Sequence, residues 1–564
     1  MKHRIALLAL AMLAWGGSAL ALPEAILGPG IDTGRTPYHQ TGNVSLSADT
    51  LYTLTGLYYV ESGASLTIPA GTVCKADTAA TLIIKPGGQI FANGEQDAPI
   101  VFTSRKAPGQ RARGDWGGVI ILGNAPVNKV NPLIEGGIIE GTFGGANPLD
   151  NSGVFKYVRI EYCGYRFQLN NEINGLTLGG VGRGTELHHV QVSYSFDDSY
   201  ECFGGTVDMH HIVAFGGTDD EFDSDFGWTG NVQFAFGIRD ENMWDPTGES
   251  NGFESDNDGS STSTDEPYTH PVYSNVTLIG PARSDAMVGN LPAGNKFQYS
   301  AVLRRSTRTS VFNSVIAGYP WGISLRDPFT IQWATNDILR WENVSVAAWQ
   351  YPDAAAQAAG TIHDVTRWSG VKDWFNTTGN DNFGVDLRNP SAVGLGDCSD
   401  LNYPNPVPQT GSELIGTAAW GDSYLQDAFF TSVNYRGAFD PTLPMDQQWT
   451  AGWTNFNPQG WDQDTAAGDV ASSFRLAGNF PNPFNPKTEI RFSLPETAAV
   501  TLTVFDLQGR QVRELGAGAQ MTAGDHVLTW NGKSDAGEAV ASGVYFYRLS
   551  AGDFSQTRKM TLLK

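Results

Sequence analysis

The stretch Leu187–Trp228, LHHVQVSYSFDDSYECFGGTVDMHHIVAFGGTDDEFDSDFGW, contains one unit written twice. His188-His189-Val190 returns as His210-His211-Ile212, Asp197-Asp198 as Asp219-Asp220 and Glu201 as Asp223, each time 22 residues later. A fixed period of that size, carried by short β-branched runs broken by Gly and Asp, predicts a solenoid whose coils stack strand on strand. Equivalent residues of neighbouring coils then lie about 4.8 Å apart along the axis, so the doubled aspartates stack on each other. Carboxylates at that spacing repel, and either a bound cation or an open, solvated loop must relieve the repulsion. One residue of each His-His pair is expected to face the core and the other the solvent, because strand side chains alternate.

Towards the N-terminus, Tyr59–Ala64, LTIPAGTV from Leu66, LIIKPGGQI from Leu82 and PIVFTS from Pro99 are short apolar runs separated by Pro-Gly or Ala-Gly corners. Such strands are too short for an ordinary sandwich and suit the coils of a parallel β-helix. Downstream, the words ending in Val158, Val190, Ile212, Val232, Val276, Val315 and Val344 recur at steps of 32, 22, 20, 44, 39 and 29 residues. The steps of 44 and 39 read as two coils each. The fold class is therefore all-β, a parallel β-helix (solenoid) over 22–360 followed by a small β-sandwich. Residues 361–459 lose the pattern in Trp- and Asn-rich sequence and read as a cap that covers the open end of the solenoid; a carbohydrate-binding aromatic platform is the alternative. A linker follows over 460–478, and 479–564 alternates strand and turn in the manner of a sandwich.

Residues 1–21 combine Lys2 and Arg4 with an apolar run and the small-residue pattern Ala19-Leu20-Ala21, which predicts a secretion signal. No other apolar run approaches the length of a membrane span, so the mature chain is expected to have no transmembrane segment and to be secreted or attached to the outer surface. The formal net charge is −23, and with +2 in the leader and +1 in Asn479–Lys564, the remainder carries −26. Asp197–Glu266 alone holds 18 acidic residues against one basic residue, Arg239. Nucleic acid is excluded as a partner on that charge, and cations are favoured. Cys74, Cys163, Cys202 and Cys398 permit disulfides in an exported chain or serve equally as small core residues.

Two segments resemble known families. Leu66-Thr-Ile-Pro-Ala-Gly-Thr72, Pro86-Gly87-Gly88, Ala98-Pro-Ile-Val-Phe-Thr-Ser104 and Gly114-Asp115-Trp116-Gly117-Gly118 resemble the opening of secreted bacterial right-handed parallel β-helix proteins, and the likeness extends over about Leu51–Ala348. At the C-terminus, Asn482-Pro483-Phe484-Asn485-Pro486, Tyr545-Phe546-Tyr547-Arg548-Leu549 and Thr557-Arg558-Lys559-Met560 resemble the sorting domains of the type IX secretion system and the Ig-like domain of flagellar hook-capping proteins. That resemblance implies export across an outer membrane, with the secretion machinery as a partner; an Ig-like module that only extends or anchors the chain is the alternative.

Four constellations could carry chemistry. The acidic double rung comprises Asp197, Asp198, Glu201, Asp219, Asp220, Glu221, Asp223 and Asp225, whose hard oxygens suit Ca²⁺ as cofactor rather than zinc; a solvated acidic ladder is the other reading. Glu254, Asp256, Asp258 and Asp265 have the spacing of a twelve-residue calcium loop, or form a flexible acidic loop. The histidine pairs form a metal or proton-transfer site, or a structural ladder. Arg304, Arg305, Arg308 and Arg326, with Lys296, form a basic group. β-Helix polysaccharide lyases, which the scaffold resembles, pair calcium with an Arg or Lys base, but no motif maps that site residue by residue onto this chain. The function expected is an exported structural or binding module, adhesin-like or carbohydrate-contacting, with polysaccharide or cell-surface components as partners; the alternative is a calcium-dependent polysaccharide-degrading enzyme.

Overall fold

The computed structural model describes residues 22–168, 171–246, 248–260, 264–377, 381–382, 390–460, 475–480, 484–494, 497–521, 524–552 and 554–563. The predicted leader and residues 461–474 of the predicted linker lie outside them. The N-terminal part is a parallel β-helix with three faces. The first face is a sheet running from Pro37–Gln40 through Thr81–Ile84, Leu176–Val181, Tyr200–Gly205, Phe222–Asp225 and Phe253–Ser255 to Trp321–Leu325. The other two faces belong to one larger sheet, which in the early coils is two columns, Ser65–Pro69 with Gln89–Asn93 and Val73–Ala76 with Ile100–Ser104. Strand Gly153–Glu161 pairs with both columns and fuses them.

The fusion has a local cause. Tyr157, His189, His211, Phe234, Asn275, Asn313 and Asn343 all take positive φ, between 47° and 58°. Each sits at the same point of its coil, so one left-handed residue per coil bends the strand from the second face to the third. Asn adopts that conformation with least strain, which accounts for the Asn275-Asn313-Asn343 run. The bend also suspends strand alternation. Both histidines of each pair therefore project outward, contrary to the one-in, one-out expectation, and all four are only partly buried.

Inside, stacked apolar columns such as Val158-Val190-Ile212-Ala235-Val276 form a single core along the axis. Each buried aliphatic side chain there contributes about 1.5–3 kcal/mol. The repeat of 22 residues is the register itself, His188 opposite His210 and Glu201 opposite Asp223. The longer steps are single coils, not pairs: Asn231–Ile238 bonds directly to Val272–Ile279, and that strand to Ser310–Phe312 and Val315–Ala317. The extra length is spent in excursions at the corners, because a coil can lengthen at a corner without disturbing the stacked strands. The four cysteines are free and buried.

The segment expected to cap the solenoid does two things. Residues 362–364 follow the last first-face strand, Gly322 donating to Ile362 O at 2.8 Å and Asp364 to Ile323 O at 3.0 Å, while Ile362, Val371 and Phe375 close the core. Residues 395–460 instead cover the flank of the larger sheet, crossing back and forth between coils before ending on the early ones, over a cluster that includes Phe215, Phe236, Ala438, Phe439 and Trp453. Side-chain amides tie this strap down. Asn313 exchanges two hydrogen bonds with the Ala419 backbone (2.9 and 2.8 Å), Gln233 two with Thr431 (2.7 and 2.8 Å) and Gln191 two with Asn455 (2.8 and 2.7 Å). An outward face of Val and Phe would otherwise be left in water, and the strap buries it.

The C-terminal part is a separate antiparallel sandwich. Arg475–Phe480, Thr488–Leu494 and Gly524–Trp530 form one sheet; Gln511–Met521, Ala498–Phe505, Gly543–Ala551 and Phe554–Leu562 form the other. Its own core includes Leu502, Val504, Trp530, Tyr547, Leu549 and Met560. No described helix is long and apolar enough to cross a membrane.

Asn313→Ala should lower the unfolding free energy by about 2–4 kcal/mol, combining two lost hydrogen bonds with a left-handed backbone that Ala resists. Asn313→Gly, which removes only the first contribution, should cost less. Guanidinium unfolding reads both, and limited proteolysis should find 395–460 released; wild-type behaviour in the Ala variant would contradict the clamp.

Candidate functional site

The first face carries different loads along its length. In the early coils its outward side chains, Tyr59, Ile83, Ile120 and Leu122, are buried beneath Ile134, Ile138 and Phe143 of the long excursion between Gly118–Leu122 and Gly153–Glu161. From the strand of Glu201 onward the outward residues turn acidic, and the excursion reaches them only through polar residues, Glu135 beside Asn174 and Lys129 beside Asp258. Glu201, Asp223 and Glu254 stack in register, with Asp225 and Asp256 beside them. Asp197, Asp198, Asp219 and Asp220 come from the corners that lead into these strands. The result is an acidic cleft floored by strand residues and edged by corners.

Three physical solutions to the crowding are visible. The first is a ladder of side-chain oxygens on backbone amides. Asn174 Oδ1 accepts from Asp198 N (3.2 Å), Asp198 Oδ1 from Asp220 N (2.8 Å), Asp220 Oδ1 from Asn251 N (2.5 Å) and Asn251 Oδ1 from Tyr299 N (3.0 Å). Asp198 and Asp220 thus each commit one oxygen to the next coil. The second is pairing with cations: Arg304 contacts Asp256 at 2.8 and 3.1 Å and also Glu254, Arg305 contacts Asp256, and Lys129 lies 3.5 Å from Asp258. Glu221, beneath the cleft, is paired with the buried Arg239 and accepts from the Tyr319 hydroxyl at 2.5 Å.

The third is protonation or a cation that the chain does not supply. Asp197, Asp198 and Asp219 bring carboxylate oxygens within 4.8 Å of one another, and so do Asp198, Glu201 and Asp223. Asp219 Oδ1 is buried without a hydrogen-bond partner. Burial first and neighbouring carboxylates second raise Asp197, Asp198, Glu201, Asp219 and Asp223 well above the ordinary carboxylate range. Burial also pushes Asp225 and Glu254 up to about 8, and Asp220 to about 6 because Arg239 and Asn251 restrain it. Clustered hard oxygens, with the partnerless Asp219 Oδ1 among them, fit a calcium ion by donor chemistry.

The residues with calcium-loop spacing do not converge. Glu254 and Asp256 line the cleft against arginines, Asp258 faces Lys129, and Asp265 is exposed. The basic group is likewise dispersed: Arg308 is stacked over Tyr268 and Trp333 at 3.6 and 4.0 Å, Arg326 pairs with Glu249 at 2.7 Å, and Lys296 is exposed. Two residues of the cleft escaped the sequence reading. Asn174 could have been found by extending the repeat one coil backward, since it stands 24 residues before Asp198. Glu135, hydrogen-bonded through Asn174 at 3.0 Å, arrives on an excursion and gives no sequence signal.

At the bend, the histidines make two stacked columns. The His188 and His210 rings lie 4.6 Å apart and 12° from parallel, the His189 and His211 rings 4.6 Å apart and 7° from parallel. Burial, then neighbouring rings, lowers His189 to about 3, His210 to about 4 and His211 to about 2.

Residues 38–389 match the pectate-lyase-like beta helix domain family, and the chain belongs to that family. Residues 482–553 match the FlgD Ig-like domain. No curated protein matches the chain. Among solved structures, PorZ, an essential bacterial surface component of the type-IX secretion system of Porphyromonas gingivalis, is similar at 19% identity and a TM-score of 0.13, over 18% of this chain and 13% of that one. Dimeric latent PorU from the same organism is similar at 19% identity and a TM-score of 0.14, over 18% of this chain and 11% of that one.

In chelator, the folded state holds protons on these carboxylates that the unfolded chain has released, so stability falls as pH rises. The window runs from about 4, the ordinary carboxylate value, through the value of about 8 for Asp225 and Glu254. Thermal melts across that range should show the decline, and Asp223→Asn should flatten it. A melting temperature that climbs over the same interval would refute the assignment of these shifts.

Proposed function

We propose that this chain is an exported cell-surface or extracellular binding module whose β-helix holds Ca²⁺ in the acidic cleft and contacts polysaccharide or cell-surface components there. The observation that carries the reading is the cluster of Asp197, Asp198, Glu201, Asp219 and Asp223 with the partnerless Asp219 Oδ1. Hard cations with flexible oxygen coordination suit such a donor set, and an ion held on the side where Asp197, Asp219 and Asp223 are only half-buried keeps positions for sugar hydroxyl or carboxylate oxygens. The C-terminal sandwich is proposed to act as a type IX sorting domain, a reading supported by its terminal sequence words and by the FlgD Ig-like match.

A polysaccharide lyase on the same scaffold would require an Arg or Lys able to take a proton. Arg304, beside the acidic column, suits that role poorly: burial lowers its pKa, but Glu254 and Asp256 outweigh burial and raise it. The guanidinium is held as a charge partner of the cleft rather than as a base.

Calcium at a hundred times its dissociation constant should add about 2.7 kcal/mol of stability, and Asp219→Asn combined with Asp220→Asn should remove most of the gain. A polysaccharide panel assayed with and without calcium, for binding and for cleavage, then separates the readings. Calcium-dependent binding without new chain ends supports the module, unsaturated products support the lyase, and indifference to calcium in both melting and binding ends the proposal. Separately, a chain truncated after Gly460, ahead of the first sandwich strand Arg475–Phe480, should fold but fail to reach the surface or medium; normal export would remove the sorting role.

A further inference from the structure

We propose that His188, His189 and His210 form a binding site for a divalent transition-metal ion of the zinc and copper class, on the bend between the second and third faces and independent of the acidic cleft. The site follows from the left-handed residue. Because His189 and His211 have positive φ, at 52° and 56°, each turns its ring to the same side as the histidine before it. His188 Nδ1 and His189 Nδ1 then face one another at 2.7 Å, and on the next coil His210 Nδ1 and His211 Nδ1 do the same at 2.7 Å. Nitrogens of His188, His189 and His210 all lie within 4.8 Å of one another.

A structural ladder needs only flat rings in a stack, and Tyr157 and Phe234 continue the His189-His211 column without nitrogen. What the histidines add is paired ring nitrogens. Glu186 Oε1 lies 3.1 Å from His188 Nε2. A carboxylate there holds the proton on Nε2 and leaves Nδ1 with its lone pair, the arrangement that orients and strengthens a ligating histidine. Without metal, His189 Nδ1–H donates to that lone pair. An ion about 2.0–2.1 Å from each nitrogen would take the place of the shared proton after a small opening of the pair, that proton passing to His189 Nε2 so that the ring ligates as the neutral tautomer, and His210 would close from the neighbouring coil.

The surroundings favour a borderline metal over calcium, since imidazole nitrogen suits zinc, copper and nickel. The rings are walled by Tyr157, Trp449, Trp453 and Phe429. The charged groups facing them are Glu186 and Lys156, and Lys156 is occupied by Glu186 at 3.1 Å. Access is at the His188 edge, where that side chain is 16% exposed and Glu186 47%.

The test uses the full chain, stripped with chelator and titrated with Zn²⁺ in a calorimeter, then with Co²⁺ in a spectrophotometer. The proposal expects one ion per chain at micromolar or tighter affinity, visible Co²⁺ bands of nitrogen ligation, and at least a hundredfold weakening in His188→Ala with His210→Ala. His188→Gln, which keeps a polar side chain of similar reach, should fold normally and bind at least tenfold more weakly. Asp219→Asn with Asp220→Asn should leave the affinity unchanged. No binding below millimolar Zn²⁺, binding that survives the histidine variants, or binding lost with the aspartates instead would each overturn the site.

Discussion

Parallel, in-register stacking is the constraint on which the rest of this molecule depends. Every coil donates its strand hydrogen bonds to the next, so whatever occupies one position is placed about 4.8 Å from its counterpart. For Val158, Val190, Ile212 and Val276 that repetition is favourable, since apolar side chains gain by stacking. For Glu201, Asp223 and Glu254 it is costly, since charges do not. The architecture therefore turns composition into columns, and each column must be made compatible with its own repetition.

The acidic columns show how this is done. Asp198 and Asp220 are accommodated because the corner leaves a backbone N–H of the following coil without a partner, and their oxygens accept it. Glu254 and Asp256 are accommodated by Arg304 and Arg305 from the next corner. Asp197 and Asp219 have neither device, Asp223 accepts only from the adjacent Ser224 N at 2.5 Å, and burial beside like charges leaves the three protonated or in need of a cation. The difference between the carboxylates the chain satisfies and those it leaves unsatisfied is thus a difference of partners, not of residue type.

The flank obeys the same logic. A solenoid of this kind has apolar side chains on its outside as well as inside, here Val213, Phe215, Phe236 and Ile279. The strap covers them without joining the stack, and Gln191, Gln233 and Asn313 substitute for a neighbouring strand by giving and taking one hydrogen bond each with its backbone. The same strap brings Trp449 and Trp453 against the histidine columns, so covering the flank also dries the bend.

What the amino-acid sequence determined by itself was everything that follows from period. The 22-residue repeat set the solenoid and the pairing of His188 with His210 and of Glu201 with Asp223, because residues at equal phase must stack. The alternating strands and the words of the C-terminal segment likewise marked a sandwich. What the tertiary structure alone decided were matters of dihedral angle and of contacts between distant segments. A single left-handed residue turned both histidines outward, which no alternation rule anticipates. Corner excursions made the steps of 44 and 39 single coils and carried Glu135 to the cleft. The aromatic-rich segment divided into a short end closure and a long strap, because the apolar outer face it covers exists only after the coils have stacked.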